Sequence, residues 1–355
     1  MLSPSEFRDL VSGRRRGLSA SLLRAGLRLA ETPYACAMRL RNWRYDTGRA
    51  EIVRADVPVV SVGNLTLGGT GKTPLVVWLA RWFRDRDVRV SLISRGYGAA
   101  ANRRNDEALE LEHRLPDVPH LLDRDRAAAA QVAEEELDTQ LILLDDAFQH
   151  RRMHRDLDIV LLDALDPFGA EHVFPRGLMR EPPTGLHRAH IIGLSRANAL
   201  NDSQRAAIRQ RAKRYAPHAA WFEASHAPQG LLSSSGRGES LAALAGQRVA
   251  AFCGLGNPAG FRLTLEHLKS ELVELREFPD HHPYTRDDVR GLSDWAGQLH
   301  VAAVLTTHKD LVKLELDQIG RAPLWAVTIG MEILAGRDEL EALLMPLLPA
   351  NQSPA

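Results

Sequence analysis

The residues with the most legible chemistry are Gly68, Gly69, Thr70, Gly71, Lys72 and Thr73, which end the segment Gly63-Asn64-Leu65-Thr66-Leu67-Gly68-Gly69-Thr70-Gly71-Lys72-Thr73-Pro74. An apolar strand-like run, Val57 to Val62, leads into the segment, and an apolar helical pattern, Leu75 to Phe83, leads out of it. In that setting the glycines let consecutive backbone N–H groups turn toward a phosphate, and the helix start adds its positive end. Lys72 can then reach the β- and γ-phosphates of a nucleotide, and Thr73 can offer its hydroxyl to Mg²⁺. Thr66 takes the first glycine position of G-x-x-x-x-G-K-[ST], so the general pattern is met only in part. A glycine-rich turn with a surface lysine would share some of these letters. The coincidence of strand, glycines, Lys-Thr and helix favours a phosphate-binding loop.

A second cluster supports the first. Leu141-Ile142-Leu143-Leu144 is an apolar run that ends in two adjacent carboxylates, Asp145 and Asp146. Such a run suits a strand buried on both faces, and an Asp at the end of such a strand holds Mg²⁺ directly or through water in enzymes of this kind. Which of the two would touch the metal is open.

The elements that must position these groups follow from hydrophobic periodicity. Strands are expected near Pro58 to Val62, Val88 to Ser94, Leu141 to Leu144, Asp158 to Asp163 and Ile191 to Ser195. Helical patterns begin at Thr73 and near Asp123, and a third runs from Asn201 to Tyr215. This alternation predicts a parallel sheet covered by helices. Ala227 to Glu239, rich in glycine, serine and proline, reads as a linker. A second series follows: strands over Arg248 to Cys253, Leu272 to Phe278, Ala302 to Thr306 and Leu324 to Ile329, with helices over about Pro258 to Ser270, Arg286 to Leu299 and Asp338 to Leu348. Gly254-Leu255-Gly256-Asn257-Pro258 imitates a second nucleotide loop but lacks the lysine, so a tight strand-to-helix turn is expected there.

Composition narrows the function. A chain of 355 residues is long enough for two domains with real cores, and 45% apolar with 25% charged residues is globular composition. A formal net charge of zero gives no global field to recruit nucleic acid. Two cysteines, Cys36 and Cys253, are too few for a disulfide framework and lack zinc-site spacing. No apolar run is long enough to span a bilayer, and no secretory signal is visible. The first fifty residues are basic, with ten arginines against Glu6, Asp9, Glu31 and Asp46. Leu22, Leu23, Leu27 and Leu29 lie among Arg24 and Arg28 there, a composition suited to an amphipathic membrane-docking arm. Pro33 should split that arm into two short helices or kink it.

Beyond these features, several motifs occur in order. They are Gly63-Asn64 leading into Gly68 to Pro74, Ser94-Arg95-Gly96-Tyr97-Gly98, Asp145-Asp146-Ala147-Phe148-Gln149-His150, Arg176-Gly177-Leu178-Met179-Arg180-Glu181-Pro182, Phe278-Pro279-Asp280-His281-His282-Pro283-Tyr284 and Thr306-Thr307-His308-Lys309-Asp310. Together they resemble the tetraacyldisaccharide 4′-kinase family. The family's Asp-Asp-Gly-Phe-Gln-His has Ala147 here, its Gly-Asp-Glu reads Asn105-Asp106-Glu107, and its Thr-Glu-Lys-Asp reads Thr307-His308-Lys309-Asp310.

The resemblance implies an α/β fold: a P-loop kinase-like parallel sheet flanked by helices, a second smaller α/β domain, and an N-terminal membrane-associating helical arm. The corresponding divisions are an arm over 1–50, a nucleotide-binding domain over 51–226, a linker over 227–247 and a closing domain over 248–355. It implies ATP as phosphoryl donor, Mg²⁺ as cofactor, and the 4′-hydroxyl of the lipid A disaccharide 1-phosphate precursor as acceptor. Asp106 would be the base for that hydroxyl, paired across an interdomain cleft with a histidine of the 281–282 pair. His281 is taken as that partner, with His282 as the alternative. Glu107 would join Thr73, Asp145 and Asp146 around the metal, and Gln149, His150, Arg176, Arg180, His282 and Lys309 would support the site or touch substrate. Anionic lipids of the inner membrane are expected partners of the arm, which places the enzyme on the cytoplasmic face of that membrane, peripheral or monotopic. Neither nucleic acid nor an obligate protein partner is expected. From the residues alone, a P-loop kinase of a soluble sugar or metabolite and a nucleotide-switch or assembly ATPase remain alternatives.

Overall fold

The computed structural model describes residues 4–96, 106–280 and 282–349. In chain order the elements begin α1 (Pro4–Val11), α2 (Leu18–Asp46), β1 (Val59–Asn64), α3 (Lys72–Arg84), β2 (Val90–Ser94), α4 (Asp106–Arg114), β3 (His120–Leu122), α5 (Arg126–Glu136), β4 (Leu141–Asp145), β5 (Leu157–Asp163), β6 (Ile191–Ser195) and α6 (Asp202–Tyr215). They continue with β7 (Ala220–Leu232), β8 (Gly238–Glu239), β9 (Arg248–Cys253), α7 (Pro258–Glu266), β10 (Glu271–Glu277), α8 (Arg286–Leu299), β11 (Ala303–Thr307), α9 (His308–Leu314), β12 (Gln318–Ile319), β13 (Ala322–Ala335) and α10 (Arg337–Leu344). The chain forms two compact units, one of Met1–Gly98, Arg114–Ser225 and Ile333–Ala355, the other of Ala99–His113 and His226–Glu332.

In the first unit the strands run in the order β3-β2-β4-β1-β5-β6, followed by the start of β7, and every pairing is parallel. Each of β1, β4, β5 and β6 is buried along its whole length, as a strand covered on both faces must be. The chain leaves β1 toward β4 and β2 and later crosses to β5 and β6 on the other side. The carboxyl end of β1 is therefore the topological switch point, where open parallel sheets hold their ligands. Helix α3 buries Leu75, Val76, Leu79, Ala80 and Phe83, each large apolar side chain contributing roughly 1.5–3 kcal/mol. Its Pro74 falls in the first turn, where no backbone N–H is missed.

The second unit has its own parallel set, β10-β9-β11-β13. One face is packed by Phe261 and Leu265 of α7, the other by Leu292, Trp295 and Ala296 of α8. Helix α8 starts with a capping box between Thr285 and Asp288. The stretch expected as a linker is partly strand: β7 runs on to Leu232 and pairs antiparallel with β8, and Thr328 of β13 donates to the Gly230 carbonyl at 3.0 Å. Helix α4, expected in the first domain, groups with the second unit.

The N-terminal expectations need correction. Pro33 lies inside one 29-residue helix, α2, and does not divide it. An interior proline costs about 3 kcal/mol, which contacts along the same helix offset. Glu31 accepts from Val173 N at 2.9 Å, Tyr34 Oη donates to the Arg180 carbonyl at 2.9 Å, and Arg41 donates to the Gln149 carbonyl at 2.7 Å. Asn42 donates to Glu181 at 2.7 Å, and Asp46 pairs with Arg151 at 2.7 Å. The expected anchoring on the inner membrane is also overturned. Among the described residues no helix is long and apolar enough to cross a membrane, and α2 instead docks on the body of its own unit through the contacts just given.

Candidate active site

The glycine-rich loop spans the seven residues between β1 and α3. Gly63, near the end of β1, has to be glycine, because a Cβ there would lie 2.5 Å from Cβ of Phe148. Asn64 is fully buried; its Nδ2 donates to the Thr66 carbonyl at 2.7 Å and its Oδ1 accepts from Lys72 Nζ at 3.4 Å. Gly71 caps α3 with φ 86°, a left-handed conformation that favours glycine. Thr66, the departure from the general pattern, sits in an antiparallel bridge with Met179, flanked by Leu67 N donating to the Leu178 carbonyl at 2.7 Å and Arg180 N donating to the Leu65 carbonyl at 2.8 Å. Extended backbone suits threonine, so the first half of the loop is held by a ladder where other loops use a glycine turn.

The far side of the loop is buttressed from the end of β6. Ser195 Oγ donates to the Thr70 carbonyl at 2.7 Å. Arg196 donates to the Gly69 carbonyl at 3.0 Å and to Asp163 at 2.6 Å. All four side chains, Thr70, Ser195, Arg196 and Asp163, are buried. Fixing two successive loop carbonyls fixes the peptide planes that carry the next N–H groups, which preorganises the loop for an anion.

Beside Lys72 stands the carboxylate pair at the end of β4. Asp146 Oδ1 lies 3.4 Å from Lys72 Nζ, and both its oxygens accept from Arg180, at 2.7 and 2.9 Å. Burial alone would raise its pKa; Lys72 and Arg180 outweigh burial and hold Asp146 well below the usual carboxylate range. Arg126 donates to the carbonyls of Asp145 and Asp146 at 3.0 and 3.1 Å, so this strand end is fixed from behind. Asp145 is buried next to it.

Gln149 donates to the Asn64 carbonyl at 3.0 Å and to Glu181 at 3.1 Å. Glu181 is fully buried and paired with Arg188 at 2.8 Å, so Gln149 ties the end of β1 to a rigid ion pair. Burial, together with Arg126, Arg155 and Arg41, lowers the His150 pKa to about 4, leaving the ring neutral at neutral pH. The two arginines of the 176–180 motif part ways. Arg180 turns to Asp146, and Arg176 donates to the Val11 carbonyl at 3.0 Å.

In the second unit, Asp106 and Glu107 open α4, but their side chains lie outside the described residues, as does His281. The expected Asp106–His281 pairing therefore lies outside the described residues, and α4 itself groups with the second unit. His282 is engaged elsewhere: its Nε2 is 3.1 Å from Asp288, which closes the capping box of α8 with Thr285, and its ring packs on Phe278 and Tyr284. Lys309 reaches Asp280 at 3.7 Å, and His308 stacks edge-on against His113 of α4 at 5.7 Å. The start of α9 thereby touches both α4 and the residue before His281. Asp310 accepts from Gly254 N at 3.0 Å, which makes Gly254 to Pro258 the tight strand-to-helix turn its letters suggest.

Sequence reasoning missed Ser195, Arg196, Asp163, Arg126, Arg188 and the helix α2 partners Arg41 and Asn42. The one available signal was position: Ser195-Arg196 stands at the carboxyl end of a parallel strand, two strands from β1.

A family model described as Tetraacyldisaccharide-1-P 4′-kinase matches residues 23–348. A tetraacyldisaccharide 4′-kinase of Anaeromyxobacter sp. (strain K) is 42% identical over 96% of this chain and 95% of its own length. One from Geobacter sulfurreducens is 35% identical over 92% of this chain and 95% of its own length. A crystal structure of LpxK from Aquifex aeolicus in complex with ATP superposes with a TM-score of 0.71 at 28% identity, covering 92% of this chain and 100% of that one.

Proposed function

Since the chain belongs to the tetraacyldisaccharide-1-phosphate 4′-kinase family, we propose how its own residues divide the work of that reaction. The protein is a phosphotransferase that moves a phosphoryl group from ATP to the 4′-hydroxyl of the tetraacyldisaccharide 1-phosphate. The observation that carries the assignment of the site is Lys72, held between Asn64 and Asp146 at the start of α3 and at the end of a glycine-rich loop.

The first unit is the P-loop domain, and the second contributes the base. Loop N–H groups from Gly68 to Thr73 and the start of α3 take the phosphates, and Lys72 neutralises charge on the β- and γ-oxygens. The donor set around Lys72 suits Mg²⁺: a Thr73 hydroxyl and two carboxylates, one of them held ionised. Among the described residues no three His, Cys, Asp or Glu side chains cluster as a metal cage. Asp145, Asp146, Thr73 and Glu107 would hold the ion, and when bound it neutralises charge on the phosphoryl oxygens. Asp106 takes the proton of the 4′-hydroxyl, and His281 orients Asp106 and tunes its basicity. Gln149 and His150 keep the ends of β1 and β4 in place, and Lys309 holds Asp280 next to His281.

Incubation of the protein with labelled ATP and the disaccharide 1-phosphate, followed by mass analysis, should show a lipid heavier by one phosphate. ATP hydrolysis without a labelled lipid would overturn the kinase reading. Asp146→Asn should raise the Mg²⁺ concentration for half-maximal activity by on the order of tenfold, with Asp145→Asn as comparator. Superimposable Mg²⁺ titrations would remove both from the metal site.

Arg196→Ala should act on the nucleotide and on stability together. It takes the guanidinium away from the buried Asp163 carboxylate, which keeps its bond from Leu165 N, and from the Gly69 carbonyl, a change that costs about 3–5 kcal/mol when a buried pair is broken. The expected result is a lower Tm and a KM for ATP raised about tenfold, with KM for the lipid unchanged and partial recovery in Arg196→Lys. An ATP KM equal to wild type in the folded variant would reduce Arg196 to a packing residue.

A further inference from the structure

The first turn of α9 meets the segment around position 281 on both sides in sequence. Lys309 Nζ lies 3.7 Å from Asp280, the residue before 281. Asp310, the next residue of α9, is fully buried and reaches further. Its Oδ2 accepts from Thr307 Oγ1 at 2.7 Å, in the cap of α9, and from Gly254 N at 3.0 Å, just past the end of β9. Its Oδ1 lies 3.8 Å from Lys313 Nζ and stands close to Tyr284, three residues after 281. A Cβ on Gly254 would lie 3.0 Å from that Oδ1, 3.2 Å from Tyr284 Oη and 3.3 Å from the Pro279 carbonyl oxygen. Glycine at 254 lets a carboxylate, a phenol and a carbonyl close on one point of the backbone.

The ends of three parallel strands stand side by side here. Cys253 of β9 is in register with Glu277 of β10, and β11 lies on the other side of β9. Phe278 N donates to the Cys253 carbonyl at 2.8 Å, and His282 N donates to the Pro279 carbonyl at 3.1 Å, which turns the segment back. The Tyr284 ring packs edge-on against Phe252 and Phe278, with centroids 5.6 and 5.2 Å away. That packing would hold the ring without its hydroxyl. Yet the hydroxyl is buried, and among the described residues neither it nor Asp310 Oδ1 has a hydrogen bond to any other group. Burial raises the Tyr284 pKa and Asp310 raises it further, so the phenol keeps its proton beside the carboxylate. His282 also lies against the Tyr284 ring, but its polar contact goes to Asp288.

We propose that Tyr284 and Asp310 are positioning residues for the base, tying the segment that carries His281 to the ends of β9 and β11; the proposal rests on Asp106 and His281 being that base and its partner. A buried carboxylate is costly to desolvate, and apolar groups of similar volume often serve stability equally well. What this cluster adds is one fixed arrangement of the strand ends, and residue 281 follows the end of β10 by four positions.

The test uses full-length protein with ATP and the tetraacyldisaccharide 1-phosphate, read by single-turnover rates, KM values and a pH profile. Tyr284→Phe removes one oxygen and keeps the ring, so Tm should stay close to wild type. Its kcat should fall about tenfold, with both KM values unchanged. The acid limb of its pH profile should shift in the direction that His281→Ala shifts it. Asp310→Asn should lose at least as much, because its single acceptor oxygen is taken by Gly254 N and Thr307 and the amide then meets Tyr284. If Asp310→Asn does not fold, Tyr284→Phe decides alone. In a His281→Ala background Tyr284→Phe should cost less than about twofold more, since no imidazole is left to position.

Losses that multiply in the double variant would overturn the proposal. So would a Tyr284→Phe defect that appears in Tm or in KM for ATP while the pH profile stays in place. If His281→Ala itself keeps the wild-type rate, the assignment of the base fails and takes the proposal with it; if His281→Ala is defective and Tyr284→Phe is not, the base stands and the positioning role falls.

Discussion

Lys72→Ala should abolish measurable phosphoryl transfer while the protein stays folded. The lysine is the first residue of α3 and keeps part of its surface exposed, so truncation leaves little cavity. Its charge matters for chemistry because the transferred phosphoryl group spreads negative charge over oxygens that only fixed cations and loop N–H groups can meet. A loss of about 10³-fold or more in kcat is expected. Asp146 loses one of its two cations in this variant but keeps Arg180 at 2.7 Å, so the strand end should hold. Lys72→Arg should not rescue, because a planar fork cannot take the place of a compact ammonium between Asn64 and Asp146. Labelled-phosphate transfer and a thermal melt on the same preparation check both halves. Wild-type turnover in folded Lys72→Ala would remove the P-loop assignment, and loss of the fold would show that Lys72 is structural.

What could be read in advance was local. Strands β6 and β9 and helix α8 have the ends their apolar patterns indicate, since each is a contiguous run bounded by polar or turn residues. The Lys72 and Asp146 partnership was legible because each residue sits in its own short motif at a strand end. Helix α4 was not. Its sequence is mostly charged and, among the described residues, buries Ala108 and Leu111 alone, so it has no periodic apolar face to detect. Strand β7 hid behind glycine and serine of linker-like composition, although its first half buries Trp221 and Phe222.

The continuity of α2 through Pro33 follows from contacts with residues more than a hundred positions away, such as Arg180, Gln149 and Glu181. Local propensity argues for a break, and tertiary contacts decide otherwise. The same separation hid the supports of the site. Asn42 and Glu181, or Arg196 and Gly69, are pairs that only the folded chain brings together. The grouping of α4 was hidden for a related reason: position along the chain does not say that this helix joins the second unit.

Asp106→Ala and His281→Ala should each lower kcat by about 10²- to 10⁴-fold, the range for a general base, and the double variant should be little worse than the poorer single. The reasoning is that His281 acts only through Asp106. If the imidazole orients the carboxylate and sets its basicity, removing it has no further effect once the carboxylate is gone. Helix α9 meets elements that neighbour both in sequence: His308 packs against His113 of α4, and Lys309 reaches Asp280. His282 makes the control. Its contact with Asp288 belongs to the cap of α8, so His282→Ala should lower Tm more than kcat. Single-turnover rates with both substrates saturating isolate the chemical step from binding, and a pH profile adds a second readout. The acid limb that reports the base should shift in His281→Ala and vanish in Asp106→Ala. Losses that multiply in the double variant would reject the pair as a unit, and a His282→Ala defect in kcat as large as that of His281→Ala would reassign the partner.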